Sequence, residues 1–91
     1  MILKRTGIAG TLESSDIFIT VMPADEITVN LISPVSRFYG ESITATIRGV
    51  LEELDIRGAR VEAVDHGALD CTIRARVFAA SERACRKEGD G

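Results

Sequence analysis

Chemistry in this chain would fall first to Ser14 and Ser15 within Ala9-Gly10-Thr11-Leu12-Glu13-Ser14-Ser15-Asp16, to the single histidine (His66), to Cys71 and Cys85, or to acidic pairs such as Glu52-Glu53. A nucleophilic triad needs a histidine base, and nothing in the sequence ties His66 to a serine. Metal binding is not indicated, because neither CxxC nor HxxxH spacing occurs. His66, beside Asp65, is expected to be an ordinary solvated turn residue. The eight glycines never approach GxGxxG or GxxxxGK[ST], so no phosphate cradle is encoded. A domain with these means is expected to carry or bind something rather than transform it.

The serine pair is then the feature to weigh. Small polar residues form turns, their hydroxyls bonding neighbouring backbone groups, and that alone would account for both. The alternative is chemical. A hydroxyl at the apex of a short hairpin is open to a modifying enzyme without any unfolding, and a long group attached there would swing freely. An Asp-Ser-Leu signature at a helix N-terminus is absent, so an ordinary phosphopantetheine carrier is not indicated.

The elements that must position this tip follow from periodicity. Residues 8–12 and 17–22 read as strands flanking it, with Ile17, Ile19 and Val21 on one face. Pro23 ends the second run, and residues 27–32 alternate, Ile27, Val29 and Leu31 inward, as in a sheet with one wet face. From about residue 38 the period changes: Ile43, Ile47, Val50, Leu51 and Leu54 make one helical stripe, with Gly58 as a helix stop. Residues 59–64 form another strand with Val61 and Ala63 inward, and Asp65-His66-Gly67 a turn. Leu69, Ile73, Val77, Ala80 and Ala84 stripe a second helix running to about Lys87, and residues 88–91 read as a frayed tail. The order is β-β-β-α-β-α. It predicts a single α+β domain over residues 1–91: a two-layer sandwich whose four-stranded mixed sheet carries both helices on one face. The first three strands are expected to form an antiparallel meander, and the third and fourth a right-handed crossover if parallel.

Composition narrows the class of function. With 45% hydrophobic residues and 27% charged, the 91 residues should fold around one modest core. A net charge of −3, scattered basic residues and few aromatics (Phe18, Phe38, Phe78 and Tyr39, placed mostly in the core pattern) argue against a nucleic-acid partner. No signal peptide or bilayer-spanning run is visible, which points to the cytoplasm. Cys71 and Cys85 fall in one helix, roughly 21 Å apart at about 1.5 Å per residue. An intramolecular disulfide is thereby excluded, and both read as reduced, half-buried packing residues.

Two blocks carry a family resemblance. Ala9-Gly10-Thr11-Leu12-Glu13-Ser14, followed after one residue by Asp16, resembles the N-terminal motif of the citrate lyase acyl carrier proteins, the γ subunits of that bacterial enzyme. Asp65-His66-Gly67-Ala68-Leu69-Asp70-Cys71-Thr72-Ile73-Arg74-Ala75-Arg76 resembles the family's C-terminal signature. The resemblance implies a non-catalytic carrier in which Ser14 bears 2'-(5''-phosphoribosyl)-3'-dephospho-CoA through a phosphodiester. It implies partners as well: a transferase that installs the arm, a ligase that acetylates its thiol, an α subunit that exchanges acetyl for citryl, and a β subunit that cleaves the citryl thioester to oxaloacetate. No nucleic acid or membrane enters that scheme. Ser15 stands where the family often has glycine, and Ser14 is taken as the anchor because it follows the Leu-Glu pair. Glu13 and Asp16 are expected to help the transferase recognise the tip. Two other functions fit less well: the acyl carrier subunit of malonate decarboxylase, and an unmodified α+β interaction module.

Overall fold

The computed structural model describes residues 1–86. Its elements are β1 (Gly7–Ala9), β2 (Ile17–Met22), β3 (Ile27–Ile32), α1 (Ser36–Glu53), β4 (Ala59–Asp65) and α2 (Asp70–Cys85). The expected order and the α+β class are both observed. Lys87 and the tail at 88–91 lie outside the described residues.

Alternation decides which face of the sheet is dry. Ile17, Ile19 and Val21 of β2 and Ala59, Val61 and Ala63 of β4 are buried, whereas Phe18, Thr20 and Met22 on the opposite face are half-exposed. Onto the dry face α1 lays Ile43, Ile47, Val50 and Leu51, and α2 lays Ile73, Val77, Ala80 and Ala84. Burial of these aliphatic side chains, at about 25 cal/mol per Å² of apolar surface removed from water, is the main force holding the two layers together.

The expected meander is not formed. The strand order is β1-β2-β4-β3, with β4 antiparallel to β2 and parallel to β3. The physical reason lies in Pro23-Ala24-Asp25-Glu26. Four extended residues span about 13 Å, enough to step over one intervening strand, whereas a tight hairpin needs two. This connection crosses the start of β4 at Gly58, where an added Cβ would sit 2.0 Å from the carbonyl oxygen of Ala24. Gly58 is therefore a crossing point and not the helix stop. The stop is Asp55, which takes a left-handed conformation (φ 54). Its N–H donates to the Glu52 carbonyl (3.0 Å), and the Ile56 N–H donates to the Leu51 carbonyl (2.9 Å). Buried Ile56 and Leu51 complete the apolar contact of that helix ending. β3, left at the edge, buries its inner face only partly.

The four aromatics, expected mostly in the core pattern, all lie outside it, Phe18 half-exposed on the open face of β2. Phe38, Tyr39 and Phe78 are 79%, 60% and 47% exposed. Phe38 and Tyr39 occupy the first turn of α1, before its stripe begins at Ile43. Phe78 follows the buried Val77 and is turned about 100° from it. Cys71 is likewise exposed and not half-buried; Cys85 is half-buried, and burial pushes its thiol pKa up. Both thiols are free.

Candidate functional site

Gly10 shapes the hairpin tip. Its left-handed φ of 97° turns the chain off the ladder after Ala9, and an added Cβ would meet the Ile17 carbonyl oxygen at 1.8 Å. β1 therefore stops at residue 9, short of the expected 12, and residues 10–16 form the loop. Within it the Asp16 N–H donates to the Glu13 carbonyl (3.2 Å), closing a four-residue turn with Ser14 and Ser15 at its centre. Ser15 takes φ 66, the third-position conformation that favours glycine in such turns. Ser14, at the apex, is exposed, and among the described residues its hydroxyl makes no hydrogen bond.

Asp16 braces this tip. Its carboxylate accepts from the Thr11 hydroxyl (2.7 Å) and the Ile17 N–H (2.7 Å). It also accepts a side-on pair from Arg76, Nε at 3.1 Å and Nη2 at 2.9 Å. The Asp16 side chain is only 13% exposed. The Arg76 guanidinium, then the Thr11 hydroxyl and the Ile17 amide, hold its pKa well below the usual carboxylate range. The backbone reinforces the latch: the Ser15 N–H donates to the His66 carbonyl (2.7 Å) and the His66 N–H to the Asp16 carbonyl (2.9 Å). Asp16 thus positions the loop, with its acceptor capacity turned inward; of the two acids proposed for recognition, Glu13 is the one left exposed.

Sequence reasoning missed Arg76 and Asp65. Arg76 acts across sixty residues of chain, with no local pattern to announce it. Asp65, expected in an exposed turn, is the last residue of β4 and 1% exposed. It accepts from the Ser33 hydroxyl (2.8 Å) and the Ala68 N–H (2.9 Å), while Ser33 Oγ accepts from the Val35 N–H (3.2 Å). One buried carboxylate therefore ties the entrance of α1 to that of α2, and the His66 turn held between them is the one that pins Ser15. His66 itself is exposed, as expected. Among the described residues no three His, Cys, Asp or Glu side chains are grouped to hold a metal, and no helix is long and apolar enough to cross a membrane.

The latch is testable. Arg76→Ala should leave the fold intact yet speed amide exchange at Ser15 and His66 by roughly tenfold, because charge-assisted pairs are the stronger class of hydrogen bond. Asp16 is a carboxylate with a lowered folded pKa, so its contribution is fully present above the unfolded value of about 3.9 and is lost as pH falls below it. Acidification from pH 7 to 5 should leave tip exchange, corrected for its intrinsic pH dependence, unchanged. An Arg76→Ala protein whose tip exchanges at the wild-type rate would show that Arg76 braces nothing.

The braced hairpin raises an exposed serine above a small two-layer domain. Comparison with known proteins gives the class to which such a domain belongs. Residues 4–84 match an acyl carrier (ACP) family described as malonate decarboxylase delta subunit (MdcD). The chain is 50% identical over 90 residues to the citrate lyase acyl carrier protein of Streptococcus mutans serotype c, covering 97% of this chain and 88% of that one. It is 52% identical over 86 residues to the protein of the same name from Streptococcus pyogenes serotype M5, covering 92% and 84%. Among solved structures it superposes on a chain of a Pseudomonas malonate decarboxylase hetero-tetramer in complex with malonate, with TM-score 0.70 over 90% of each chain at 14% identity. At that identity the likeness establishes the fold. The chain belongs to the citrate lyase acyl carrier protein family. Its relatives are carriers rather than catalysts, and acyl carriers in general bear a covalently attached prosthetic group and work with the other subunits of their complex.

Proposed function

We propose that this chain is the acyl carrier subunit of a cytoplasmic citrate lyase, with 2'-(5''-phosphoribosyl)-3'-dephospho-CoA joined to the Ser14 hydroxyl by a phosphodiester. The observation that carries the proposal is the exposed apex hydroxyl on a loop braced through Asp16 and Arg76. Such attachment asks of the protein a hydroxyl that a transferase can reach, and Ser14 meets that demand. When bound, the arm supplies a thiol that holds acetyl and citryl groups as thioesters. The chain's own part is mechanical. The latch fixes where the tether starts, and the fixed start keeps the thiol at high effective concentration near the α acyltransferase and β lyase subunits. Ser14 is an anchor and not a nucleophile during turnover.

The test is intact mass after co-expression with the arm-transferring enzyme, followed by peptide mapping. Addition of one arm mapping to residues 10–16 is expected; unmodified protein would leave a plain interaction module. The match to the malonate decarboxylase delta-subunit family favours a second assignment, a carrier for that enzyme. Co-purification with citrate lyase α and β subunits, and not with decarboxylase subunits, is the expected outcome.

A further inference from the structure

The pole of the domain that carries Ser14 also holds a cleft of about 650 Å³ between the N-terminal parts of α1 and α2. Tyr39, Ser42 and Ile43 line one side, and Leu69 and Asp70 the other, with Asp65 among the lining groups. The volume lies in the ordinary range for a small-molecule site. Its walls are fixed in advance, because Asp65 holds Ser33 at the entrance of α1 and Ala68 at the entrance of α2. It is also next to the tether. The His66 carbonyl accepts from the N–H of Ser15, the residue after the anchor, and the neighbours of His66, Asp65 and Gly67, both line the cleft.

Charge and shape select among the parts of a nucleotide-built arm. Asp65 and Asp70 contribute carboxylates, which disfavour a diphosphate or a citryl group. Tyr39 (60% exposed) and Leu69 (71% exposed) offer apolar faces to a flat ring. The Ser42 hydroxyl and the Asp70 carboxylate can accept from an exocyclic amine. Adenine meets all of these conditions, and aromatic side chains are common platforms for a base. We propose that this cleft is a docking site for the adenine of the arm on Ser14, holding the nucleotide half against the domain and leaving the pantetheine half free to swing. The inference rests on the Ser14 assignment for its occupant, though not for the existence of the cleft.

Tyr39 is the only tyrosine and the chain has no tryptophan, so its emission reports on the cleft directly. In protein whose intact mass shows the arm, Tyr39 emission is expected to be at least twofold lower than in unmodified protein. Leu69→Glu, an exposed substitution that adds charge at the cleft, should restore the emission with the mass added by the arm and the melting temperature unchanged. Equal emission from loaded and unmodified protein would overturn the proposal. Free 3'-dephospho-CoA at millimolar concentration, titrated into unmodified protein, should shift the amide resonances of Gly67, Leu69 and Asp70. Absence of those shifts would also overturn it. Shifts from the free nucleotide in a protein that takes no arm would uphold the cleft and remove the anchor; an arm on Ser14 with neither quenching nor shifts would do the reverse.

Discussion

Ser14→Ala is expected to abolish loading: after co-expression with the arm-transferring enzyme, intact mass should show bare protein, a loss of more than a hundredfold if wild type loads to completion. The fold should not respond. The Ser14 side chain is exposed and free of hydrogen bonds among the described residues, and such surface changes usually stay within about 0.5 kcal/mol. Ser15→Ala is the necessary partner experiment, since two adjacent hydroxyls stand at the tip. Ser15 is held by its own backbone, bonded to His66 and left-handed at φ 66, whereas Ser14 stands at the open position of the turn. Ser15→Ala should therefore load as wild type. Ser15→Gly should load as well and melt slightly higher, because glycine adopts this conformation without the roughly 1 kcal/mol cost of a Cβ. Loading of Ser14→Ala, with the arm mapped to Ser15, would move the anchor by one residue and detach it from the apex.

The parts of this architecture legible in sequence were those written as short-range period. The β2 triad of Ile17, Ile19 and Val21 and the stripes read from Ile43 and from Leu69 each repeat at the spacing of their element, so each announced its buried face, except that Leu69 itself stands just before α2 and is 71% exposed. What stayed hidden was non-local. The place of β4 between β2 and β3 depends on where the Pro23–Glu26 connection passes over Gly58, and no local signal records a backbone crossing. Helix α1 ends on Asp55 in a left-handed conformation that glycine more often supplies, so the nearby Gly58 drew an inference that belonged three residues earlier. Asp65 and Arg76 have the same character. A carboxylate at a strand end and an arginine on a helix are unremarkable alone, and only the fold reveals what each one ties together. The apex serine was visible, but the latch that makes it a fixed point was not.

A larger effect on stability is expected far from the tip, at Gly7. This residue is buried where β1 presses on the C-terminal half of α2. An added Cβ would stand 2.0 Å from the Ala80 carbonyl oxygen and 2.6 Å from the Ala84 nitrogen. Those are backbone atoms of a helix, so no side-chain rotation relieves the overlap; α2 must lift or β1 must leave. The same few residues of α2 hold the N-terminal segment. The N–H groups of Lys4 and Arg5 donate to the Ala84 carbonyl (2.8 and 3.1 Å), and Arg83 Nη1 donates to the Ile8 carbonyl (2.6 Å). Gly7→Ala should therefore sit at the upper end of overpacking costs, about 3 kcal/mol, lowering the melting temperature by roughly 15 °C in a domain of this size. Gly49→Ala provides the contrast. It lies mid-helix in α1 with nothing within 4 Å of a new Cβ, so it should stabilise by about 0.5–1 kcal/mol by relieving the helix of a glycine. Thermal melts of the two variants beside wild type decide the matter. Because β1 is one stem of the loop, lifting it should also slow loading of Ser14, coupling a packing fault between Gly7 and Ala80 to the attachment step at the other end of the hairpin. A Gly7→Ala protein melting within a degree of wild type would mean that α2 and β1 do not approach as closely as this packing requires.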